Sequence, residues 1–110
     1  MRMWMVPVSK MCRKHLLGEH VEIHMLVGTI LRERSIEGYI KNDLIEPKSI
    51  YKRHQEIVEE MLKRGYNHNS PLLEINFSSK VIKPYLEHKV DSKKSYLDLI
   101  TRCKDCRDLK

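Results

Sequence analysis

Long apolar runs are missing from this sequence. No unbroken stretch approaches the ~20 residues that a membrane-spanning helix requires. The opening Met1-Arg-Met-Trp-Met-Val-Pro-Val8 lacks a full signal-peptide core and cleavage site. An intracellular, cytoplasmic protein with no membrane partner is therefore expected. Cysteine is scarce and odd in number: Cys12, Cys103 and Cys106 are too few for a disulfide scaffold. Cys103-x-x-Cys106 reads as a lone pair at a frayed end, with no second pair to complete the four ligands of a zinc site. No metal or cofactor is expected. Internal repeats and low-complexity segments are also absent, which excludes solenoids and disordered tails.

What is present is charge, with one sign in excess. The 110 residues carry a formal net charge of +6 and a pI near 9.3, and a basic small domain is attracted to polyanions, nucleic acid first. The Lys and Arg are spread along the chain, which favours a folded basic surface over a basic arm. The length suits one domain, residues 1–110, with a single modest core.

Every segment with a clear period reads as helical, so the fold class is all-α, built around three helices with an extended N-terminal lead over residues 1–8. Ser9 is positioned to cap a first helix running to about Arg34, and its half Met25–Leu31, apolar most of the way round, should be the buried centre. A short helical turn is expected within residues 35–42. Pro47 and Gly65 bracket a second helix whose apolar face is Ile50, Ile57, Val58, Met61 and Leu62, with His54 inside that face and Arg53 on the opposite one. Residues 66–91 read as an ordered, loop-rich crossing. Ser92 should cap a third helix with Tyr96, Leu97, Ile100 and Cys103 facing inward.

The chemistry is concentrated on the first helix. His15-Leu-Leu-Gly-Glu-His-Val-Glu-Ile-His24 holds three histidines and two carboxylates in ten residues. At about 100° per residue, His15, Glu19 and Glu22 fall on nearly one line, while His20 and His24 point elsewhere. Two acids within a largely apolar stripe need partners, because burying a carboxylate alone is costly.

Ser9-x-x-x-x-Lys14-His-Leu-Leu-Gly-Glu-His-Val-Glu22 and the later Lys63-Arg-Gly-Tyr-Asn67 resemble the pyrimidine-dimer DNA glycosylases of the phage endonuclease V type. The resemblance covers roughly residues 1–34 and 50–70, with a shorter loop between. It implies a small all-α DNA repair enzyme, a glycosylase with associated abasic-site lyase activity, acting as a monomer on double-stranded DNA that carries damaged bases. It implies that an α-amine, here that of Met1, attacks C1′ of the damaged nucleotide, and that Glu22 is the acid and base. Arg2 matches the arginine beside the amine and His15 the helical histidine. Glu19, His20, Arg53 and Arg64 complete the expected substrate and DNA contacts, Glu19 in support of Glu22. A bulky Arg2 would preserve Met1 from removal, leaving the amine where the alignment needs it. α-Amines have an ordinary pKa of about 7.7–8.0, well below lysine, so they supply free base near neutral pH without deep burial. No metal is required by that chemistry.

The chain departs from the family where arginines flank the catalytic glutamate: those positions are Val21 and Met25. The aromatic, lysine-rich tail is also replaced, by residues 100–110. Both departures bear on which lesion is preferred. Two other readings remain: a basic domain that binds nucleic acid without catalysis, and a metal site drawn from His15, Glu19, His20, Glu22, His24 and His54. His20-x-x-x-His24 lacks the glutamate of the metallopeptidase pattern.

Overall fold

The computed structural model describes residues 1–68 and 71–109. Among them the regular structure is all helical: α1 (Arg13–Leu31), α2 (Glu37–Lys41), α3 (Ile50–Lys63), α4 (Ser92–Arg102) and α5 (Lys104–Arg107), with 3-10 turns at Val8–Lys10, Pro47–Ser49 and Lys83–Tyr85. No helix of the described residues is long and apolar enough to cross a membrane.

The N-terminal lead is non-helical through Pro7, with Met5 at φ 55° and Val8 already in the first 3-10 turn, and the helices are assembled around it. Met3, Val6 and Met11 are wholly buried. A non-helical segment inside a helical core has no ladder to satisfy its backbone, so its polar groups must find partners elsewhere. They do so on α3 and its C-cap, on α4 and on the loop after α2. The Met3 N–H donates to the Leu44 carbonyl at 2.7 Å. The Ser95 hydroxyl donates to the Trp4 carbonyl at 2.6 Å. Arg53 donates to the Val6 carbonyl at 2.7 Å, and Arg64 to the carbonyls of Val8 and Met11 at 3.1 and 2.7 Å.

These demands account for the differences from the sequence reading. Ser9 lies inside the first 3-10 turn, and Cys12, in extended conformation, is the N-cap of α1. Leu26, Val27 and Ile30 are core, but Met25 and Leu31 are 54% and 45% exposed, so that half of α1 is buried on one face only. Arg53, expected on the outer face of α3, is turned inward because Val6 and Glu19 need its donors. Helix α4 keeps part of the expected face: Tyr96 and Cys103 pack partly buried against the core, but Ser95 and Leu99 are its most buried residues and Leu97 is 60% exposed. The lead's need for a hydroxyl donor sets that face, which apolar periodicity does not register. Asp91, not Ser92, caps α4, accepting from the Lys94 N–H at 3.1 Å.

The second long helix ends as its sequence indicates. Gly65 has φ +86°, and the Gly65 and Tyr66 N–H groups bond back to the carbonyls of Leu62 and Met61, the paired bonds of a Schellman stop. Cys106, expected at a frayed end, is fully buried in the core.

Candidate active site

Glu22 lies where α1 passes the beginning of the lead. Burial pushes its carboxyl above the ordinary range. The positive α-amine of Met1 opposes that rise, the Glu19 charge adds to it, and the Arg2 backbone N–H, by hydrogen bonding, lowers it again with the Arg2 guanidinium. The amine and the acid singled out from sequence are thus close enough to feel one another. The lead's anchors hold them there, because Met3 and Trp4 are tied to the residue after α2's terminal turn and to α4.

Glu19, one turn earlier, is in a different setting. It is wholly buried and receives two bonds from Arg53, Nε to Oε2 at 2.6 Å and Nη2 to Oε1 at 3.0 Å. Its partner is this arginine and not His15. Arg53 itself is 3% exposed, so its guanidinium is not presented to a phosphate. Arg64 is likewise engaged, with Nε on Glu60 at 2.8 Å and Nη2 on the lead.

Beside Glu22 is an open cleft of about 550 Å³ whose lining brings in Arg2, His15 and Glu19, all expected from sequence, with Trp4, Lys14, Val21 and Arg102. A neighbouring cleft of about 590 Å³ contains Met1, His24, Met25 and Arg32. Val21 lines both and is 55% exposed, an apolar ridge between them. Arg2 crosses the first cleft with its guanidinium 3.7 Å from the centre of the Trp4 ring and donates to Asp98 at 2.6 Å. That bond draws Asp98 below the ordinary carboxylate range. A larger cleft, about 700 Å³, opens on the other side of the lead, but Glu56, Glu59 and Glu60 line it, which disfavours a polyanion there. Lys14, Arg102 and Trp4 were not singled out from sequence. Lys14 sits inside the quoted motif, whereas nothing in residues 92–102 marks Arg102 before the fold places it.

His88 is apart on Asp43 at 2.8 Å, and the other five histidines divide into two groups. The six-residue metal set considered from sequence does not assemble whole, but three of its members, His20, His24 and His54, gather with His68, their ligand atoms within 4.8 Å of one another. His20 and His24 of α1 meet His54 of α3 and His68 of the following loop, with ring centroids 4.8–5.3 Å apart. Burial, then the charges of His24 and His68, lowers the His20 pKa to about 4, so this aromatic-like stack holds a neutral His20 at neutral pH. His20 is 8% exposed and turned into that stack, away from the Glu22 cleft. His15 goes elsewhere. Its ring is edge-on to Trp4 at 5.6 Å, burial and then the Lys14 charge lower its pKa, and its Nδ1 lies 3.3 Å from Cys12 Sγ and 3.7 Å from Cys106 Sγ.

The family model for pyrimidine dimer DNA glycosylases matches residues 1–74, which include the lead and α1 to α3 and stop short of α4 and α5. No curated protein and no solved structure matches the chain. The matched region is well over half of the 110 residues and contains Met1, Arg2, Glu19 and Glu22. The chain belongs to the pyrimidine dimer DNA glycosylase family.

Proposed function

We propose that this protein excises damaged bases, pyrimidine dimers foremost, from double-stranded DNA as a monomer and cleaves the strand through an associated abasic-site lyase reaction. The observation that carries the reading is the charge of the Met1 α-amine acting on Glu22, a carboxyl that burial has raised above its ordinary range. The amine attacks C1′ of the damaged nucleotide, the base leaves with its bonding electrons, and a Schiff base joins the sugar to Met1. Glu22 donates a proton during sugar opening. Its carboxylate then removes a C2′ proton, and β-elimination expels the 3′ phosphate. A raised carboxyl pKa suits both halves of that work, because the same group must hold and release a proton near neutral pH. The chemistry uses no metal.

Of the DNA contacts expected from sequence, Arg2 stays in the proposal, joined by Lys14 and Arg102 on the wall of the Glu22 cleft. Glu19 keeps a positioning role through Arg53. His20, Arg53 and Arg64 are left out because their side chains are engaged internally, and His15, although it lines the cleft, because its Nδ1 faces the Cys12 and Cys106 sulfurs. Val21, exposed between the two clefts, is placed to press against an unstacked base or the gap it leaves.

Sodium borohydride tests the mechanism with DNA containing an abasic site. Reduction should give a covalent protein–DNA adduct whose peptide maps to Met1, and acetylating the amine or adding a residue before Met1 should abolish it. An adduct on a lysine side chain would overturn the assignment of the nucleophile.

A further inference from the structure

We propose that Cys12, His15, Cys103 and Cys106 form a tetrahedral Cys3His zinc site that clips the C-terminal segment to the first turn of α1. The four candidate ligand atoms lie within 4.8 Å of one another. Cys12 Sγ is 3.8 Å from Cys103 Sγ and 3.3 Å from His15 Nδ1, and Cys106 Sγ is 3.7 Å from the same nitrogen. A zinc tetrahedron with Zn–S bonds of about 2.3 Å and Zn–N bonds of about 2.0 Å has S···S edges of ~3.8 Å and S···N edges of ~3.5 Å. Three of the six edges stand close to those lengths, and the other three are no longer than 4.8 Å.

The sequence pattern is that of a split site. Cys12-x-x-His15 begins α1 and Cys103-x-x-Cys106 spans the entry to α5. The second pair that the lone Cys-x-x-Cys lacked is supplied across more than 80 residues by a Cys and a His. The surroundings also suit thiolates. The Cys12 N–H donates to Cys106 Sγ at 3.2 Å, and the Cys106 N–H to Cys103 Sγ at 3.4 Å. Such outer bonds orient sulfur ligands and offset their charge. A disulfide does not explain the arrangement. All three cysteines are free, and three sulfurs converge together with an imidazole nitrogen. Zinc is favoured over harder cations because the donor set is three sulfurs and one nitrogen in tetrahedral array. On binding, the three thiols release their protons to solvent and the imidazole enters neutral.

The site adjoins the Glu22 cleft, whose wall His15 lines, but none of its ligands is assigned a part in the amine and carboxylate chemistry. Its two C-terminal ligands lie beyond the family match, which ends at residue 74. It accounts for the full burial of Cys106 so near the end of the chain, and through His15 it braces Trp4, on which Arg2 rests.

The full chain, purified without chelator and with reductant removed, is assayed for metal and thiol reactivity. One zinc per chain is expected to survive dialysis, with all three thiols slow towards Ellman's reagent until a chelator is added, and the melting temperature should fall on chelation and recover with zinc. Reconstitution with cobalt(II) should give a thiolate-to-cobalt charge-transfer band, lost in Cys103→Ser; the measurements on the unsubstituted chain stand even if that variant folds poorly. Three fast-reacting thiols in the zinc-treated protein would overturn the proposal. So would cobalt uptake without a charge-transfer band, which would place the metal on the imidazole cluster, or a mass two hydrogens short from a disulfide.

Discussion

Glu19 and Glu22 occupy the same face of one helix, less than a turn apart, and do opposite things. Glu19 has no exposed surface and two hydrogen bonds from a buried arginine. Glu22 is half-buried, receives a backbone N–H from Arg2, and feels a positive amine that does not fully offset its burial. A carboxylate bonded at both oxygens by a guanidinium is fixed in place. An incompletely compensated one can exchange a proton, which is the property acid–base catalysis uses. Both line the same cleft, and the difference is made by the partner of each: Glu19 has the Arg53 guanidinium on both oxygens, Glu22 the start of the lead.

The sharpest way to break the comparison is Glu22→Gln, which keeps shape and an acceptor but neither takes nor gives a proton. Base excision and strand cleavage should fall by at least ~10²–10⁴-fold, the range of general acid–base catalysis. Duplex binding should stay near that of the parent, since Glu22 contributes no positive charge. Rates are compared at matched folded fraction. If Glu22→Gln turns over normally while Glu19→Gln is inactive, the roles assigned to the two acids are reversed.

The next effect is on stability and belongs to Glu19. Arg53→Met leaves a buried carboxylate without its cation and the Val6 carbonyl without its donor. Breaking one partner of a buried pair costs about 3–5 kcal/mol, read from urea unfolding. Replacing both residues with methionine should cost much less, because no charge is then stranded. Glu19→Gln also acts on Glu22. It removes a like charge, one of the causes of the raised pKa, while the α-amine and Arg2 remain. The acid limb of the pH–rate profile should therefore move to lower pH. The sign for folding follows from the same direction. A carboxyl raised in the folded state contributes stability below its unfolded pKa and loses it as pH rises through the folded value. Glu22 is thus a small burden at neutral pH, where Asp98, drawn downward by Arg2, behaves oppositely and loses its contribution as pH falls.

How much of this was legible in the sequence depends on how far each signal reaches along the chain. The helices and the Gly65 stop are local, set by period, Pro47 and a residue tolerant of positive φ, and they stand as read apart from small shifts at their ends. Glu22 and Met1 became candidates because a motif carried them, and their roles are a proposal. Arg53 was misplaced to the surface because charge periodicity on α3 is blind to Glu19, 34 positions earlier. The same limitation hid the face of α4, fixed by the carbonyl of Trp4, and the partners of Cys103, which lie 91 residues away in Cys12. His68 carried no pattern at all, since a loop has no period and the fold alone brings it to His20, His24 and His54. Long-range polar pairing leaves almost no local trace, and the errors lie there.

The smallest effect separates cations that face the cleft from those that serve the core. Lys14 lines the wall beside Glu22 and its residue is exposed, whereas Arg53 is buried against Glu19. Each phosphate contact contributes close to one unit to the slope of log affinity against log salt, through release of condensed counterions. Lys14→Ala should reduce that slope by about one and weaken binding similarly for damaged and undamaged duplex, because a phosphate contact positions the protein without reading the lesion. Arg53→Met, measured where it remains folded, should leave the slope unchanged, since a guanidinium that never meets the backbone releases no counterion. The two variants remove the same formal charge, so any long-range effect of net charge is common to both. A slope that drops equally in both would mean that bulk charge governs binding. A slope that drops only with Arg53→Met would mean that the arginine leaves Glu19 when DNA arrives, and the division between a structural and a catalytic carboxylate on α1 would not survive in the complex.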